Sequence, residues 1–184
     1  TAFAEFPDSK FPLWFTQSDD TDRVIGERFG SAVDEAAAVS WELERLSPEQ
    51  RVGLIVLFDQ FTRNLNRGSA RAYAHDGLAR QLAKANIAAG LDRFKLIERI
   101  FAILPLGHSE DLADQDQALA AFAADVTPFA PEGHFFYEGG QRQALRYREI
   151  IARFGRFPHR NSALGRETTP EEAVFLSETD MAPF

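Results

Sequence analysis

The stretch from Ser47 to Asn64 constrains the fold more than any other part of the chain. Ser47-Pro48-Glu49-Gln50 reads as a helix start. Serine caps the first amides, proline sits at N1 where its missing N–H costs nothing, and glutamine at N3 reaches back to close a capping box. The run Val52-Gly53-Leu54-Ile55-Val56-Leu57-Phe58 then follows. A helix that is apolar all round cannot face water, so this one is predicted to be central, with other elements packed around it. The helix continues as Asp59-Gln60-Phe61-Thr62-Arg63-Asn64. Asp59 and Arg63 stand four apart and share a face, and Gln60 and Asn64 do the same on the adjacent face. Phe61 is expected to follow Leu54 and Leu57 into the core. The buried element thus ends on a carboxylate, a guanidinium and two amides, which must be satisfied by each other or by a ligand.

Helical spacing recurs along the rest of the chain, and no convincing strand pattern appears. Residues 1–18, with Phe3, Phe6, Phe11, Trp14 and Phe15 beside Pro7 and Pro12, read as an extended aromatic arm. Helices are expected from about Asp20 to Leu46, with Gly30 a candidate break, and from Ala74 to Ala89, stopped by Gly90. Others run from Phe94 to Leu104, ended by Pro105, and from a Ser109 cap to about Asp125. Gln141 to Phe154, stopped by Gly155, and a short helix opened by the capping box at Thr169-Pro170-Glu171-Glu172 complete the set. Thr127 to Gly140 holds two Pro and three Gly and reads as a long surface loop. The expectation is a single all-α domain over residues 1–184 with six to eight helices, a length that suits one full core.

Composition excludes several classes of function. With no cysteine there is no disulfide, thiolate zinc site or iron–sulfur cluster, which fits a reducing, cytoplasmic setting. No apolar run reaches the roughly 18 residues of a membrane span, and no basic flank and apolar core mark a signal peptide. A net charge of -8 argues against general nucleic-acid binding. No phosphate-binding glycine loop, nucleophile elbow or His-Glu-x-x-His is present, so no metal or cofactor is read.

The basic residues are nonetheless uneven. Of 20 Lys and Arg only Lys10, Lys84 and Lys95 are lysine, and seven arginines crowd between Gly139 and Arg166 with Glu149 the one acid among them. Arginine offers a planar fork for carboxylates and phosphates. The crowd reads either as partners for the acidic run Glu110, Asp111, Asp114 and Asp116, or as part of an anion site. Two further clusters carry chemistry. His108-Ser109-Glu110 lies between two helices, placing an imidazole beside the amides of a helix start. Arg153-Phe154-Gly155-Arg156-Phe157-Pro158-His159-Arg160-Asn161, followed by Leu164-Gly165-Arg166, is a constrained loop that presents Arg, His and Asn beside aromatics.

Taken together, these motifs resemble the bacterial proteins of domain-of-unknown-function family 924. The resemblance rests on Leu57-Phe58-Asp59-Gln60-Phe61 with Arg63-Asn64, Arg67-Gly68, Leu104-Pro105-Leu106 with His108-Ser109-Glu110, Phe154 to Asn161, Leu164-Gly165-Arg166 and Thr169-Pro170-Glu171-Glu172. It covers nearly all of the chain from Trp14 onward. It implies a right-handed array of packed helical hairpins, similar to tetratricopeptide proteins, and brings no activity. Tyr147 stands where relatives often carry His, and Gly107 where a bulkier residue is commoner.

Two functions fit this reading. One is a pocket for an anionic small molecule, walled by Asp59, Gln60, Arg63, Asn64, Glu110, Arg156, Arg160, Asn161 and Arg166, with His108 or His159 moving a proton if chemistry occurs. The other is a protein-interaction scaffold without catalysis, by analogy with tetratricopeptide folds. A pocket converges polar groups, whereas a scaffold spreads them along a groove. The clustering at helix ends and one rigid loop favours the pocket, and the three clusters are expected to converge on it.

Overall fold

The computed structural model describes residues 16–179, so most of the predicted aromatic arm lies outside the described residues. Seven helices make up the described chain. They are α1 (Asp19–Ala37), the central α2, α3 (Asp76–Ala89), α4 (Leu96–Gly107), α5 (Leu112–Asp125), α6 (Phe135–Phe154) and α7 (Pro170–Ser177). Helix α2 is composite: an α-helical segment (Pro48–Ile55), a π-helical segment (Val56–Phe61) and a last α-helical turn (Thr62–Leu65) follow without a break. Among the described residues no strand occurs, and no helix is long and apolar enough to cross a membrane.

The boundaries follow from local chemistry. Both predicted capping boxes form, at Ser47 with Gln50 and at Thr169 with Glu172, each with proline at the start of the helix. Gly155 ends α6 in the left-handed conformation, with φ of 66°. Four expectations need correction. Helix α1 runs through Gly30 and stops at Ala37, well before Leu46. Pro105 does not end α4, because the lost rung falls near the helix end and the turn closes by His108 N–H to Leu104 O at 3.0 Å. Asp111, not Ser109, caps α5. The stretch read as a loop up to Gly140 is already helix from Phe135. Gly140 is a packing glycine instead: a Cβ there would lie 3.1 Å from the Phe122 ring.

Helices α3, α4, α5 and α6 pack as successive hairpins. The first half of α2 inserts between α3 and α4, and α1 covers its second half. Ile55 and Phe58 of α2 are fully buried and meet Leu82 of α3 and Leu106 of α4 in one core. A smaller cluster of Ile150, Ile151 and Phe157 anchors the segment after α6. Phe61, expected in the core, is only half-buried and touches the Phe29 ring of α1 at 4.9 Å. The wide π turn rotates the residues after it relative to an α-helix, which moves Phe61 off the Leu54–Leu57 line.

Candidate functional site

Asp59 sits inside the π segment and is fully buried. Three side chains hold its carboxylate. Arg63 Nη1 lies 3.0 Å from Oδ1, Gln60 donates to Oδ2, and His108 Nδ1 lies 2.8 and 3.0 Å from the two oxygens. Arg63 Nη1 also donates to the Asp59 backbone carbonyl at 2.7 Å. Burial alone would raise the Asp59 pKa, but Arg63 and His108 outweigh it and hold the carboxyl well below the usual range. A carboxylate only accepts, so His108 carries a proton on Nδ1.

His108 owes its position to the turn between α4 and α5. Gln115 Nε2 donates to Gly107 O and to Ser109 O, both at 2.7 Å, and so clasps the backbone on either side of the histidine. Ser109 Oγ donates to Asp114, which also takes Arg80 and Lys84. The helix N-terminus expected at Ser109 lies two residues further on, at Asp111, and the imidazole stands at the end of α4.

The charged network continues away from Asp59. Arg63 Nη2 reaches Asp76 Oδ2 at 3.0 Å, and Arg160 Nη1 lies 3.7 Å from the same oxygen. Arg160 is buried between two rings, 4.7 Å from the Tyr73 centroid and 4.5 Å from that of Phe157. Burial raises the pKa of Asp76 and of Tyr73, while burial and Arg63 lower that of Arg160. His159, adjacent to Arg160 and with its ring tilted against Phe157 at 5.4 Å between centroids, has its pKa driven down to about 4 by burial and by Arg160.

The remaining predicted site residues hold the loop in place. Arg166 pairs bidentately with Glu110 at 2.7 and 3.0 Å, and Glu110 also accepts the Phe157 N–H at 2.8 Å. Arg156 pairs bidentately with Glu172 at 2.6 and 2.8 Å, and Asn161 Nδ2 donates to the same carboxylate at 3.1 Å. Arg156, just after α6, keeps Glu172 of α7 near pKa 2. Most of the crowded arginines thus meet carboxylates: Arg142 on Glu138, Arg148 on Asp116 and Arg153 on Glu171 extend the pattern.

A cavity of about 690 Å³ opens beside this network, between α1, α2, α4, α5 and α6, with Thr16 and Gln17 also on its wall. Gln60, Arg63, Asn64, Arg67 and His108 give it a polar wall. Val56, Ile100, Ile103, Leu104, Phe122 and Phe136 supply much of the rest. Of the sequence-predicted residues, Gln60, Arg63, Asn64 and His108 line the cavity, and Asp59 stands behind them. Arg160 and His159 join the same buried network without lining it, and Glu110, Arg156, Asn161 and Arg166 lie outside the lining. The structure therefore brings the α2 end and His108 together at the cavity, while the loop buttresses them through Phe157, whose ring meets cavity-lining Tyr147 edge-on at 5.2 Å. Sequence reasoning missed Asp76, Tyr73, Gln115, Arg67 and its partner Asp22. Asp76 in the first turn of a helix looks like an ordinary dipole-matched acid, so nothing in sequence marks it as Arg63's second partner. Among the described residues no group of three or more His, Asp or Glu is arranged to hold a metal ion.

The fold and network define a class of all-α helical-hairpin proteins with a buried Asp–His–Arg cluster. The chain belongs to the bacterial family of unknown function DUF924, whose model matches residues 3–180. It is similar to the solved structure of a protein of unknown function from Agrobacterium tumefaciens, at 37% identity over 95% of this chain and 93% of that one, with a TM-score of 0.79. No curated protein matches the chain.

Proposed function

We propose that the cavity is a binding pocket for a small molecule, with His108 as the group that exchanges a proton with it. One observation carries this reading: His108 lines the cavity while buried Asp59 grips its Nδ1. Orienting one imidazole nitrogen with a carboxylate is how a histidine is fixed to act as general base or acid through the other. The guanidiniums of Arg63 and Arg67 on the same wall, each also paired with carboxylates of the protein, are the groups that an anionic ligand would meet there. Most of the lining is apolar with a few placed polar groups, as is usual for small-molecule sites. A protein-interaction scaffold would spread its specialised side chains along an extended groove. Here they meet in one network instead, which favours the pocket.

The test is a thermal-shift screen of small organic acids, alcohols and amides on wild type, His108→Phe and Arg156→Ala. Acids are expected to raise the melting temperature of wild type and Arg156→Ala alike, since Arg156 is tied to Glu172 outside the lining. His108→Phe should lose the response. A screen with no shift for any compound would sink the proposal.

A further inference from the structure

We infer that helix α1 is the lid of the cavity, hinged at its C-terminal end and latched at its N-terminal end by Asp22 to Arg67 and Asn64. This rests on the pocket reading above and says how a ligand enters. The two ends of α1 are held by different interactions. At the C-terminal end Val33 is 4% exposed, and Ala36, Ala37 and the following Trp41 pack against the main core. The indole N–H of Trp41 donates to Ala36 O at 2.8 Å and ties the helix to the segment after it. Separating these surfaces would bring apolar area into water, so this end stays seated.

The N-terminal end lacks such an anchor. Val33 is the one buried residue among the 19 of α1, and Asp19, Asp20, Arg23 and Val24 are exposed. Midway along, Phe29 meets the half-buried Phe61 ring at 4.9 Å. Among the described residues, the side-chain hydrogen bonds from α1's first turns to the rest of the protein all run through Asp22. Its Oδ2 accepts from Arg67 Nε at 2.6 Å, and its Oδ1 accepts from Arg67 Nη2 at 3.2 Å and from Asn64 Nδ2 at 2.6 Å. The Asp22 and Arg67 side chains are 17% and 26% exposed, so water can replace each bond as it breaks. Releasing this end therefore costs less than unseating Val33.

The latch lies at the cavity. Arg67 and Asn64 line it, and so do Ile25 of α1 and Thr16 and Gln17 just before the helix. Tilting the first turns of α1 about its seated end would carry Ile25 and Gln17 away from the cavity. Other walls have no such freedom. Ile100 and Ile103 of α4, with Ala118 and Phe122 of α5, line the cavity and belong to the main core at the same time. The cavity thus has one wall that can move without breaking the core, as an entry lid requires.

The chain has no cysteine, so a single introduced thiol reports on the cavity alone. Ala118 is 2% exposed, and Ala118→Cys adds one heavy atom at the α5 wall. The test is the rate at which iodoacetamide, small and uncharged, alkylates that thiol in the full chain. Adding Asp22→Asn or Arg67→Gln should speed alkylation about tenfold, and the two together should gain no more than either alone. Added salt should speed the parent and leave both latch variants unchanged. Asp20→Asn removes another first-turn acid, one outside the latch, and should leave the rate as it was. The rates should stay flat in low urea, because a hinged opening exposes little surface whereas global unfolding exposes much. Equal rates in parent and latch variants, a parent thiol as fast as free cysteine, the same acceleration by Asp20→Asn, or rates that climb with urea would overturn the lid. Any of these would leave the pocket reading standing, since that reading fails separately, on the ligand screen.

Discussion

His108 Nδ1 sits within hydrogen-bonding distance of both carboxylate oxygens of Asp59, joining positions 49 apart in the sequence. The same carboxylate neutralises Arg63 and accepts from Gln60. Asp59→Asn keeps the shape and removes the charge, leaving the 4% exposed guanidinium of Arg63 without one of the carboxylates that pair with it. Breaking a buried pair in this way should cost about 3 to 5 kcal/mol of unfolding free energy, measured by urea denaturation. A loss under about 1 kcal/mol would show that the carboxylate does not anchor the network.

Two pH windows should separate in the stability profile. His159 has its folded pKa lowered from 6.5 to about 4, so the unfolded chain binds more protons between those values. Its contribution is fully present above pH 6.5 and is lost as pH falls toward 4, amounting to about 3 kcal/mol. Asp59 and Glu172 are depressed carboxyls, so theirs is present above the ordinary carboxylate pKa and is lost as pH falls below about 4.5. His159→Asn should flatten the stability profile between pH 6.5 and 4 and leave the more acid limb in place. Equal slopes in wild type and variant between those pH values would contradict the assignment.

The helices were legible because their start signals are local. The Ser47 and Thr169 capping boxes and the Gly155 stop act within a few residues, and each appears where expected. What failed depended on tertiary packing. Gly140 looks like a loop residue until Phe122 is seen against it, and Pro105 looks like a terminus until its position near the end of α4 makes the lost rung cheap. The π turn has no sequence signature, so the displacement of Phe61 was invisible. In the site, Asp59 and Arg63 stood out because polar groups at the end of an apolar helix demand partners, and His108 because it falls between two helices beside a helix start. Asp76 and Tyr73 were hidden because an acid and a tyrosine before a helix are ordinary until Arg63 and Arg160 turn toward them.

Glu110 distinguishes bracing from ligand binding. It takes the bidentate Arg166 fork and the Phe157 N–H, linking the α4–α5 turn to the loop after α6. Glu110→Gln weakens charge-assisted bonds at a half-exposed site, so a loss of about 1 to 3 kcal/mol is expected in denaturant melts. Binding of an acid in the cavity should stay within about twofold of wild type, because Glu110 is outside the lining. A larger loss of affinity with unchanged stability would place Glu110 on the ligand instead.

Arg160 gives the sharpest contrast between charge and shape. Its guanidinium lies against the rings of Tyr73 and Phe157, and among the described residues its nearest acid is 3.7 Å away and its Nε and Nη2 have no acceptor. Its flat, weakly hydrated cation tolerates that setting better than an ammonium would. Arg160→Lys keeps the formal charge but loses the stack and buries a strongly hydrated group, so about 2 to 4 kcal/mol should be lost at neutral pH. Arg160→Met keeps apolar contact with both rings and leaves Asp76 paired with Arg63, so its cost should be smaller. A buried lysine has its folded pKa lowered, and the unfolded chain then binds the extra proton up to about pH 10. The gap between wild type and Arg160→Lys should therefore narrow as pH rises from 7 to 10, while the gap to Arg160→Met stays constant. Urea melts of the three proteins at several pH values read both trends, and a lysine variant more stable than the methionine one at pH 7 would show that the charge, not the stack, is what the site requires.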